Sequence, residues 1–258
     1  MSGSVPFDRA AEFYDRSRAI SDDAMARTVE LLAEELRDRG RVLEVGVGTG
    51  LLALPAHRAG IGVVGVDLSA PMLGKLVEKA GGEPRFPLVL ADATRLPFRD
   101  GAFGGAYLRW VLHLIPGWRD ALAEVVRVVD SGGVFVANLG SYGGTREAVQ
   151  RRFGEITGAS IEPPGLTWAG FEELDAEMTG HGASVRALPH VDEDRGGTLA
   201  EFVDGIEDNL YSWTWPVLDD VRRRAAAELR EWARERFGAL DEPETYEHAT
   251  RWRAYDLA

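Results

Sequence analysis

The chain has 258 residues, 45% of them hydrophobic and 28% charged, and 29 basic against 42 acidic residues give a formal net charge of −13. This length fits one α/β domain with a sizeable core, and the acidic balance argues against a surface that follows nucleic-acid phosphates. Because the chain has no cysteine, disulfides, thiolate metal sites, a cysteine nucleophile and iron–sulfur clusters are excluded, and we predict no metal site. The first nine residues lack the marks of a signal peptide and no apolar stretch approaches 18 residues, so we expect a soluble cytoplasmic protein.

The first strong helix is predicted between Ser21 and Gly40. Ser21 is a good N-cap residue, acidic residues follow it, and Gly40 is a typical helix terminator. Apolar side chains recur at helical spacing in between, at Met25, Val29, Leu32 and Leu36. We interpret this segment as a helix that packs on the core.

A glycine-rich stretch at residues 41–50 organises the rest of the chain. Val42, Leu43 and Val45 are typical of a short buried parallel strand. Glycine then occupies every second position, at Gly46, Gly48 and Gly50, before an apolar segment at 51–59. Such a turn has no Cβ atoms to hold a ligand away from the backbone. The pattern is G-x-G-x-G and differs from the G-x-G-x-x-G of dinucleotide enzymes.

Two further strands are each predicted to end in an aspartate. Residues 61–66 form the second buried strand, and Asp67 follows it 17 positions after Gly50. A carboxylate in this place can accept hydrogen bonds from both hydroxyls of a ribose. The third strand, 87–91, leads into Asp92 and Ala93. A fourth strand is predicted at Phe103–Arg109 and a fifth at 134–139.

Taken together, these motifs resemble the class I S-adenosylmethionine-dependent methyltransferases, and most closely the type 11 subgroup, which includes ubiquinone/menaquinone-type and many small-molecule enzymes. The matching segments are 42–50, 64–73, 91–98, Leu112-His113, 121–129 and Gly132-Gly133, so the resemblance covers roughly residues 7–140. It implies a Rossmann-like, doubly wound α/β fold with a seven-stranded sheet, mostly parallel, whose last strand is antiparallel. The chain departs from the family at Gly104, where aspartate is usual, and at Ser131, where proline is usual.

The resemblance also implies a set of contacts with S-adenosylmethionine (SAM). Tyr14 and Arg18 could hold the carboxylate of the methionine part, although residues 7–18 could equally be a surface helix that packs Phe7 and Phe13. Glu44 would meet the ammonium group directly or through water, the alternative being a buried side chain with a backbone partner. The remaining contacts would come from Asp67 to the ribose, from Leu68 and Met72 to the adenosine, and from Asp92 and the Ala93 amide to the adenine. Met72 could also be plain helix core, and Asp92 a turn-forming aspartate.

The end of the fourth strand should face both methyl donor and acceptor, because ligands of open parallel sheets bind beyond the carboxyl ends of the strands. Arg109, Trp110 and His113 lie there, and we assign Arg109 to the cofactor and Trp110 to the substrate. His113 is the candidate general base; the alternative is a structural histidine, and the family often has a second histidine where this chain has Leu114. The Asn-Pro-Pro-Tyr signature of nucleic-acid base methylation is missing here.

The second half of the chain matches the family less well. Helices are predicted at 145–156, 171–178, 199–211 and 216–237, with strands at 183–191 and 245–257. We expect one methyltransferase domain over 1–258, with cofactor-covering helices in 1–40, a cofactor-binding core in 41–140, and helical cap segments in 141–182 and 198–240. Four aromatic residues are candidates for the wall of the acceptor pocket: Tyr142, Trp168, Trp213 and Trp215. The alternative for the two tryptophans of the 211–216 segment is ordinary core or a homodimer contact.

The predicted function is therefore methyl transfer from SAM to a small, apolar or aromatic molecule by in-line displacement. O-, N- and C-methylation are not separable from these residues. One alternative is a SAM-binding protein without turnover. Another is a nicotinamide-dependent oxidoreductase, which would need G-x-G-x-x-G and a hydride-transfer constellation such as Tyr-x-x-x-Lys.

Overall fold

The structure is a computed structural model that describes residues 4, 6–15, 20–139, 144–167, 170–194, 197–243 and 247–258, without the side chains of 192–194 and 247–250. The chain forms two compact units. The first contains Met1–Gly140, Pro164–Val191 and Ala249–Ala258, and the second contains Ser141–Pro163 and Asp192–His248.

The first unit is built on a sheet that has seven strands within the described ranges, in the order β3-β2-β1-β4-β5-β9-β6. The strands are β1 Arg41–Val45, β2 Gly62–Asp67, β3 Leu88–Leu90, β4 Phe103–Arg109, β5 Val129–Asn138, β6 Ser184–Ala187, β7 Val191–Asp194, β8 Glu247–Thr250 and β9 Trp252–Asp256. β7 and β8 pair with each other outside this sheet. Strands β1 to β5 pair in parallel, whereas β9 is antiparallel to both β5 and β6. The predicted doubly wound sheet with its antiparallel last strand is confirmed.

Helices cover both faces of this sheet, which is why its strands are apolar on both sides. The helices are α1 Asp22–Leu36, α2 Ala53–Arg58, α3 Ala70–Lys79, α4 Trp118–Val128, α5 Gly144–Thr157, α6 Phe171–Gly180, α7 Leu199–Glu207 and α8 Asp219–Phe237. On one face, side chains of α1, α2 and α3 pack with Val42 of β1 and Tyr107 of β4. On the other, side chains of α4 and α6 pack with Leu43 and Leu108.

The start of α1 is as predicted. The Ser21 side chain accepts a hydrogen bond from the Ala24 amide at 3.2 Å, and Asp22 and Asp23 lie in the first turn. The helix ends at Leu36, with Arg37 as its C-cap residue, four residues before the predicted terminator Gly40. Gly40 has a φ of 68°, a left-handed conformation, and directly precedes β1.

β4 begins at Phe103, as predicted, and the structure explains the unusual glycine after it. A Cβ atom at Gly104 would lie 2.0 Å from the carbonyl oxygen of Arg39. The backbone between α1 and β1 therefore passes too close for any side chain, including the aspartate that is usual in the family.

Both predicted strands of the second half are shorter than expected. The segment 183–191 contains β6 and, separately, the first residue of β7, because Pro189 has no N–H with which to extend the ladder. The last bond before the break runs from the Leu188 amide to the Trp252 carbonyl at 3.1 Å. Likewise, the segment 245–257 is divided into β8 and β9. β5 differs in the opposite sense, because it starts at Val129, five residues before the predicted start at 134.

The helical part of the second unit is formed by α5, α7, α8 and the turn between the last two; the unit also contains most of β7 and the first residues of β8. Its core is an apolar cluster around Phe153, Phe202, Trp213 and Leu229. Thr198 and Glu201 form a capping box at the start of α7. The helix ends at Glu207, four residues before its predicted limit of 211, and Asn209 follows it with a φ of 62°. α8 begins at Asp219 rather than 216.

The expected cap segment 141–182 is divided between the units. Its first part, with α5, belongs to the second unit, but α6 belongs to the first. The reason is the apolar face of α6, on which Phe171, Leu174 and Met178 are buried against the sheet. Over the described residues, no helix combines the length and the hydropathy that crossing a membrane requires.

Candidate functional site

The glycine turn follows β1 at the centre of the sheet, beside the point where the strand order reverses between β1 and β4. The amides of Gly46 and Val47 both donate to the Val66 carbonyl, at 2.8 and 3.0 Å. Gly46, Gly48 and Gly50 have φ angles of 73°, 52° and 73°. A Cβ atom at Gly46 would lie 2.4 Å from a methyl group of Val111. The turn therefore needs glycine for its backbone conformation and for the space above it.

Asp67, at the end of β2, holds this turn in place. Its Oδ2 atom accepts a hydrogen bond from the Gly48 amide, and its Oδ1 atom accepts one from the Ser69 amide, each at 2.8 Å. Burial raises the pKa of Asp67, and these backbone donors oppose that shift. Since each carboxylate oxygen can accept more than one hydrogen bond, Asp67 can shape the turn and still accept from a ribose. The sequence did not reveal this structural role.

Glu44 lies one strand away from Asp67, buried beneath the turn. The Tyr107 hydroxyl donates to its Oε2 atom at 2.5 Å, so the partner is a side chain and not the backbone group that the alternative interpretation required. Burial raises the pKa of Glu44 to about 8; the Tyr107 bond and the Arg109 charge oppose this, and the Asp67 charge adds to it. Tyr107 itself was not among the predicted site residues, although a tyrosine within an otherwise apolar strand was the available signal.

Leu68 and Met72 lie on either side of Ser69, the N-cap residue of α3. Leu68 directly follows Asp67 and is 38% exposed, which leaves its side chain accessible to a ligand. Met72 is buried, and its terminal methyl lies 3.3 Å from the position of a Cβ atom on Gly48. Met72 is thus core and neighbour of the glycine turn at once, and the two interpretations are compatible.

Asp92 and Ala93 follow β3 at the same edge of the sheet. The Asp92 Oδ1 atom accepts from the amide and the hydroxyl of Thr94, at 2.9 and 2.8 Å. This is the turn that the alternative interpretation expected. Asp92 and Ala93 are both half-buried, and their contacts with an adenine ring stay a prediction.

Arg109 and Trp110 form a stacked pair at the end of β4. The guanidinium carbon of Arg109 lies 3.9 Å from the centre of the Trp110 ring. Trp110 has a φ of 57°, a conformation that is strained for a bulky side chain, and residues with such strain cluster at functional sites.

His113 lies on a short 3₁₀ helix, Leu112–Leu114, that follows this pair. Its side chain is 8% exposed. The next segment of the first unit locks the helix, because the Gly165 amide donates to the His113 carbonyl at 3.0 Å and the Leu166 amide to the Leu112 carbonyl at 3.1 Å. Gly165 thus holds this 3₁₀ helix through a backbone contact that the sequence did not reveal.

The N-terminal segment is tied to the glycine turn and to α3. The Thr49 hydroxyl donates to Asp15 Oδ1 at 2.5 Å, and Asp15 Oδ2 is 2.6 Å from the ammonium of Lys79. A second ion pair joins Glu12 to Lys75 at 2.9 Å. Tyr14 is half-buried and meets Phe7 edge-on, with ring centres 6.0 Å apart. Arg18 lies outside the described residues.

Comparison with known proteins gives the family of this core. A family model for a methyltransferase domain matches residues 43–137, the region that contains the glycine turn, Glu44, Asp67, Asp92 and His113. These residues form a class I methyltransferase domain. A demethylmenaquinone methyltransferase of Streptomyces avermitilis is 34% identical over 130 residues, which are 49% of this chain and 55% of that protein. A phosphatidylethanolamine N-methyltransferase of Cereibacter sphaeroides is 39% identical over 100 residues, 38% of this chain and 49% of that protein.

A solved structure of a SAM-dependent methyltransferase from Thermotoga maritima shares the fold, with a TM-score of 0.57, 17% identity and 97% of each chain covered. The chain spans only about half the length of the two curated relatives above. The family match therefore covers only the core, residues 43–137.

The four aromatic residues proposed for the acceptor wall lie outside the family match, residues 43–137. Tyr142 and Trp168 fall outside the described residues. Trp213 is 6% exposed and stacks on Tyr211 within the second unit, with ring centres 5.6 Å apart, which favours the interpretation as core. Trp215 is half-buried and donates its indole N–H to the Asn209 carbonyl at 3.1 Å. The role of the second unit as a cap stays a prediction.

Proposed function

We propose that the protein binds SAM at the glycine turn and catalyses in-line transfer of its methyl group to a small, apolar or aromatic acceptor. The main support is the bond between the Asp67 carboxylate and the Gly48 amide. This bond holds the carboxylate that would read the ribose against a bare backbone turn, at the edge of the sheet where such folds bind ligands. Gly46, Gly48 and Gly50, with φ angles of 73°, 52° and 73°, form a turn without Cβ atoms, which fits a ligand lying directly on the backbone.

Each end of the cofactor has candidate partners in the first unit. Glu44 would take the ammonium group, with Tyr14 and Arg18 assigned to the carboxylate. Asp67 would accept from the ribose hydroxyls, with Leu68 and Met72 beside the adenosine. Asp92 and the Ala93 amide would read the adenine, and Arg109 lies near enough to Glu44 for its charge to act on that carboxyl.

When bound, SAM supplies a methyl group on a positively charged sulfur, which leaves as the neutral thioether of S-adenosylhomocysteine when an acceptor atom attacks in line. The protein's task is then mainly to hold the acceptor about 3 Å from the methyl carbon and to exclude water. Trp110, strained at the end of β4, would provide an apolar surface for the acceptor. His113 would remove the proton that an O–H, N–H or acidic C–H acceptor loses.

The acceptor is proposed only as a class. The relatives include proteins named for a quinone precursor and for a phospholipid amine, so their names do not single out one acceptor atom. The net charge of −13 supports a small molecule over a nucleic acid. A cytoplasmic location and a homodimer remain predictions.

Calorimetry with SAM, S-adenosylhomocysteine and NAD tests the cofactor. We expect binding of the first two and not of NAD, and a loss of affinity of about tenfold or more in Asp67→Ala, since a bond to a charged group contributes about 1.5–3 kcal/mol. Asp38→Ala, an exposed carboxylate between α1 and β1, is the matched control and should bind normally. Absence of SAM binding by the wild type, or unchanged affinity in Asp67→Ala, contradicts the proposal.

Turnover is tested separately by chromatographic detection of S-adenosylhomocysteine with a panel of phenols, quinols and amines. Product formation that depends on the acceptor supports methyl transfer. Tight SAM binding with no product from any member of the panel would instead favour the alternative of a binding protein without turnover.

A further inference from the structure

Glu44 and Tyr107 face each other across the pairing of β1 with β4. They are partners in the strand register, and their side chains are 4% and 0% exposed. The Tyr107 hydroxyl donates to Glu44 Oε2 at 2.5 Å. Glu44 precedes Gly46, the first glycine of the turn, by two residues, so this bond lies at the root of the proposed cofactor site.

We propose that Tyr107 is a positioning residue for the cofactor, holding Oε2 of Glu44 so that the other carboxylate oxygen, Oε1, receives the ammonium group of the methionine part. This inference rests on the proposed function and adds to it a residue outside the glycine, aspartate and histidine motifs. The hydroxyl does not touch the reacting atoms; it acts through Glu44 alone.

The physical reason is the cost of a charged carboxylate in a buried place. A buried carboxylate without donors is strongly unfavourable, and an ammonium ligand binds best to the charged form. Burial raises the pKa of Glu44 most, and three groups on neighbouring strands also act on it: the Tyr107 bond lowers the pKa, the Asp67 charge raises it, and the Arg109 charge lowers it. The tyrosine is the neutral donor among them, and it favours the charged carboxylate that the ligand needs.

A consequence is that SAM binding should release a proton. With its pKa at about 8, Glu44 holds a proton at neutral pH before the ligand arrives. The incoming ammonium favours the charged carboxylate and displaces that proton. Affinity should therefore rise from pH 6 towards pH 7.5 and level off as the α-amino group of SAM loses its own charge near pH 8.

Tyr107→Phe removes the hydroxyl and keeps the ring. We expect the dissociation constant for SAM at pH 7 to rise about tenfold, since the hydrogen bond is to a charged group. The rising limb of the pH profile should also move to higher pH. In a Glu44→Gln background, where no carboxylate remains, the same substitution should have little further effect. Proton release is read by calorimetry in buffers with different ionisation enthalpies.

Two controls separate positioning from a loss of fold. Tyr255→Phe breaks an equivalent bond of a buried tyrosine in the same sheet, from Tyr255 to Asp175 at 2.7 Å. It should lower the melting temperature without changing the SAM pH profile. 5′-Methylthioadenosine, which lacks the amino-acid part, should bind Tyr107→Phe and the wild type equally.

Three results would overturn the inference while leaving the proposed function intact. One is wild-type SAM affinity and an unmoved pH profile in Tyr107→Phe. Another is an equal loss for SAM and for 5′-methylthioadenosine. The third is the same change in SAM binding from Tyr255→Phe. If the wild type binds no SAM at all, the proposed function itself is wrong, and this inference with it.

Discussion

The hydroxyl of Thr49, in the glycine turn, donates to the carboxylate of Asp15, in the N-terminal segment, 34 residues earlier in the chain. Lys79 of α3 pairs with the other oxygen of the same carboxylate at 2.6 Å. The N-terminal segment is thus fastened to the turn that we propose as the cofactor cradle, and its release should govern how fast the cofactor leaves.

We predict that Asp15→Asn speeds dissociation of SAM by about two- to fivefold, because a partly exposed ion pair contributes at most about 1 kcal/mol. Stopped-flow fluorescence with the intrinsic tryptophans measures this rate. Glu12→Gln is the matched control, since it breaks the neighbouring ion pair with Lys75 and leaves Thr49 untouched. Equal rates for Asp15→Asn and the wild type would show that this fastening does not retain the ligand.

Gly104 should be intolerant of any side chain. We predict that Gly104→Ala lowers the free energy of unfolding by about 1–3 kcal/mol, because its Cβ would lie 2.0 Å from the Arg39 carbonyl oxygen. Urea denaturation measures the change. Gly74→Ala, in the middle of α3 with no atom within 4 Å of the new Cβ, should instead be neutral or stabilise by up to about 1 kcal/mol. A Gly104→Ala protein as stable as the wild type contradicts the close approach.

Ionisation of Glu44 should make stability depend on pH. Its pKa in the folded protein is about 8, against an ordinary value of 4.5, so the folded state binds the proton more tightly than the unfolded state does. The contribution of protonated Glu44 to the free energy of unfolding is complete below pH 4.5 and is lost as pH rises towards 8. We predict that the free energy of unfolding of the wild type falls relative to Glu44→Gln by up to about 1.4 kcal/mol per pH unit in that window. Denaturation series at pH 5, 6, 7 and 8 measure the difference, and Glu83→Gln, at an exposed position, serves as the control. Parallel curves of unfolding free energy against pH for the wild type and Glu44→Gln would contradict the raised pKa of Glu44.

Gly165 should affect turnover more than cofactor binding. A Cβ atom there would lie 2.1 Å from the Leu112 carbonyl oxygen and 2.5 Å from that of Ile115, which would displace the 3₁₀ helix that carries His113. We predict that Gly165→Ala lowers kcat at least tenfold with little change in the dissociation constant for SAM, as measured with an acceptor identified from the panel. Gly180→Ala, at the end of α6 with open space around the new Cβ, is the control. Loss of SAM affinity equal to the loss of kcat would argue that Gly165 supports the whole core instead.

His113 is tested by His113→Gln. As a general base it contributes typically 10²–10⁴-fold, so we predict a fall in kcat of at least a hundredfold with SAM affinity unchanged. The pH profile of kcat should lose its lower limb in the variant. A fall in melting temperature without a change in the pH profile would support the structural interpretation of this buried side chain.

The core of the first unit was predictable because its signals are local. β1, the glycine turn and Asp67 lie within 27 consecutive positions, and each element follows from apolar runs, glycine spacing or a residue that ends a strand. The same holds for the start of α1, whose N-cap residue Ser21 stands at the helix itself; its end, at Leu36, lies four residues before the predicted terminator Gly40.

The residues that were missed owe their role to partners far away in the chain. Tyr107 meets Glu44 across 63 positions, and Gly165 packs on the backbone of residues about 50 positions earlier. Neither relation leaves a periodic pattern. The strand ends of the second half were misplaced for a related reason. Alternating apolar residues indicate an extended backbone, but they do not show where pairing with the neighbouring strand stops, as it does at Pro189.

The place of β9 has a consequence for biosynthesis. This strand follows the whole second unit in the chain, yet it is inserted between β5 and β6. While a nascent chain has emerged only as far as α8, β5 presents a row of unpaired amides and carbonyls, and β6 has no neighbour to join. Translation must proceed to Trp252–Asp256 before the sheet can close. Until then the emerging polypeptide is exposed to aggregation and suited to chaperone binding.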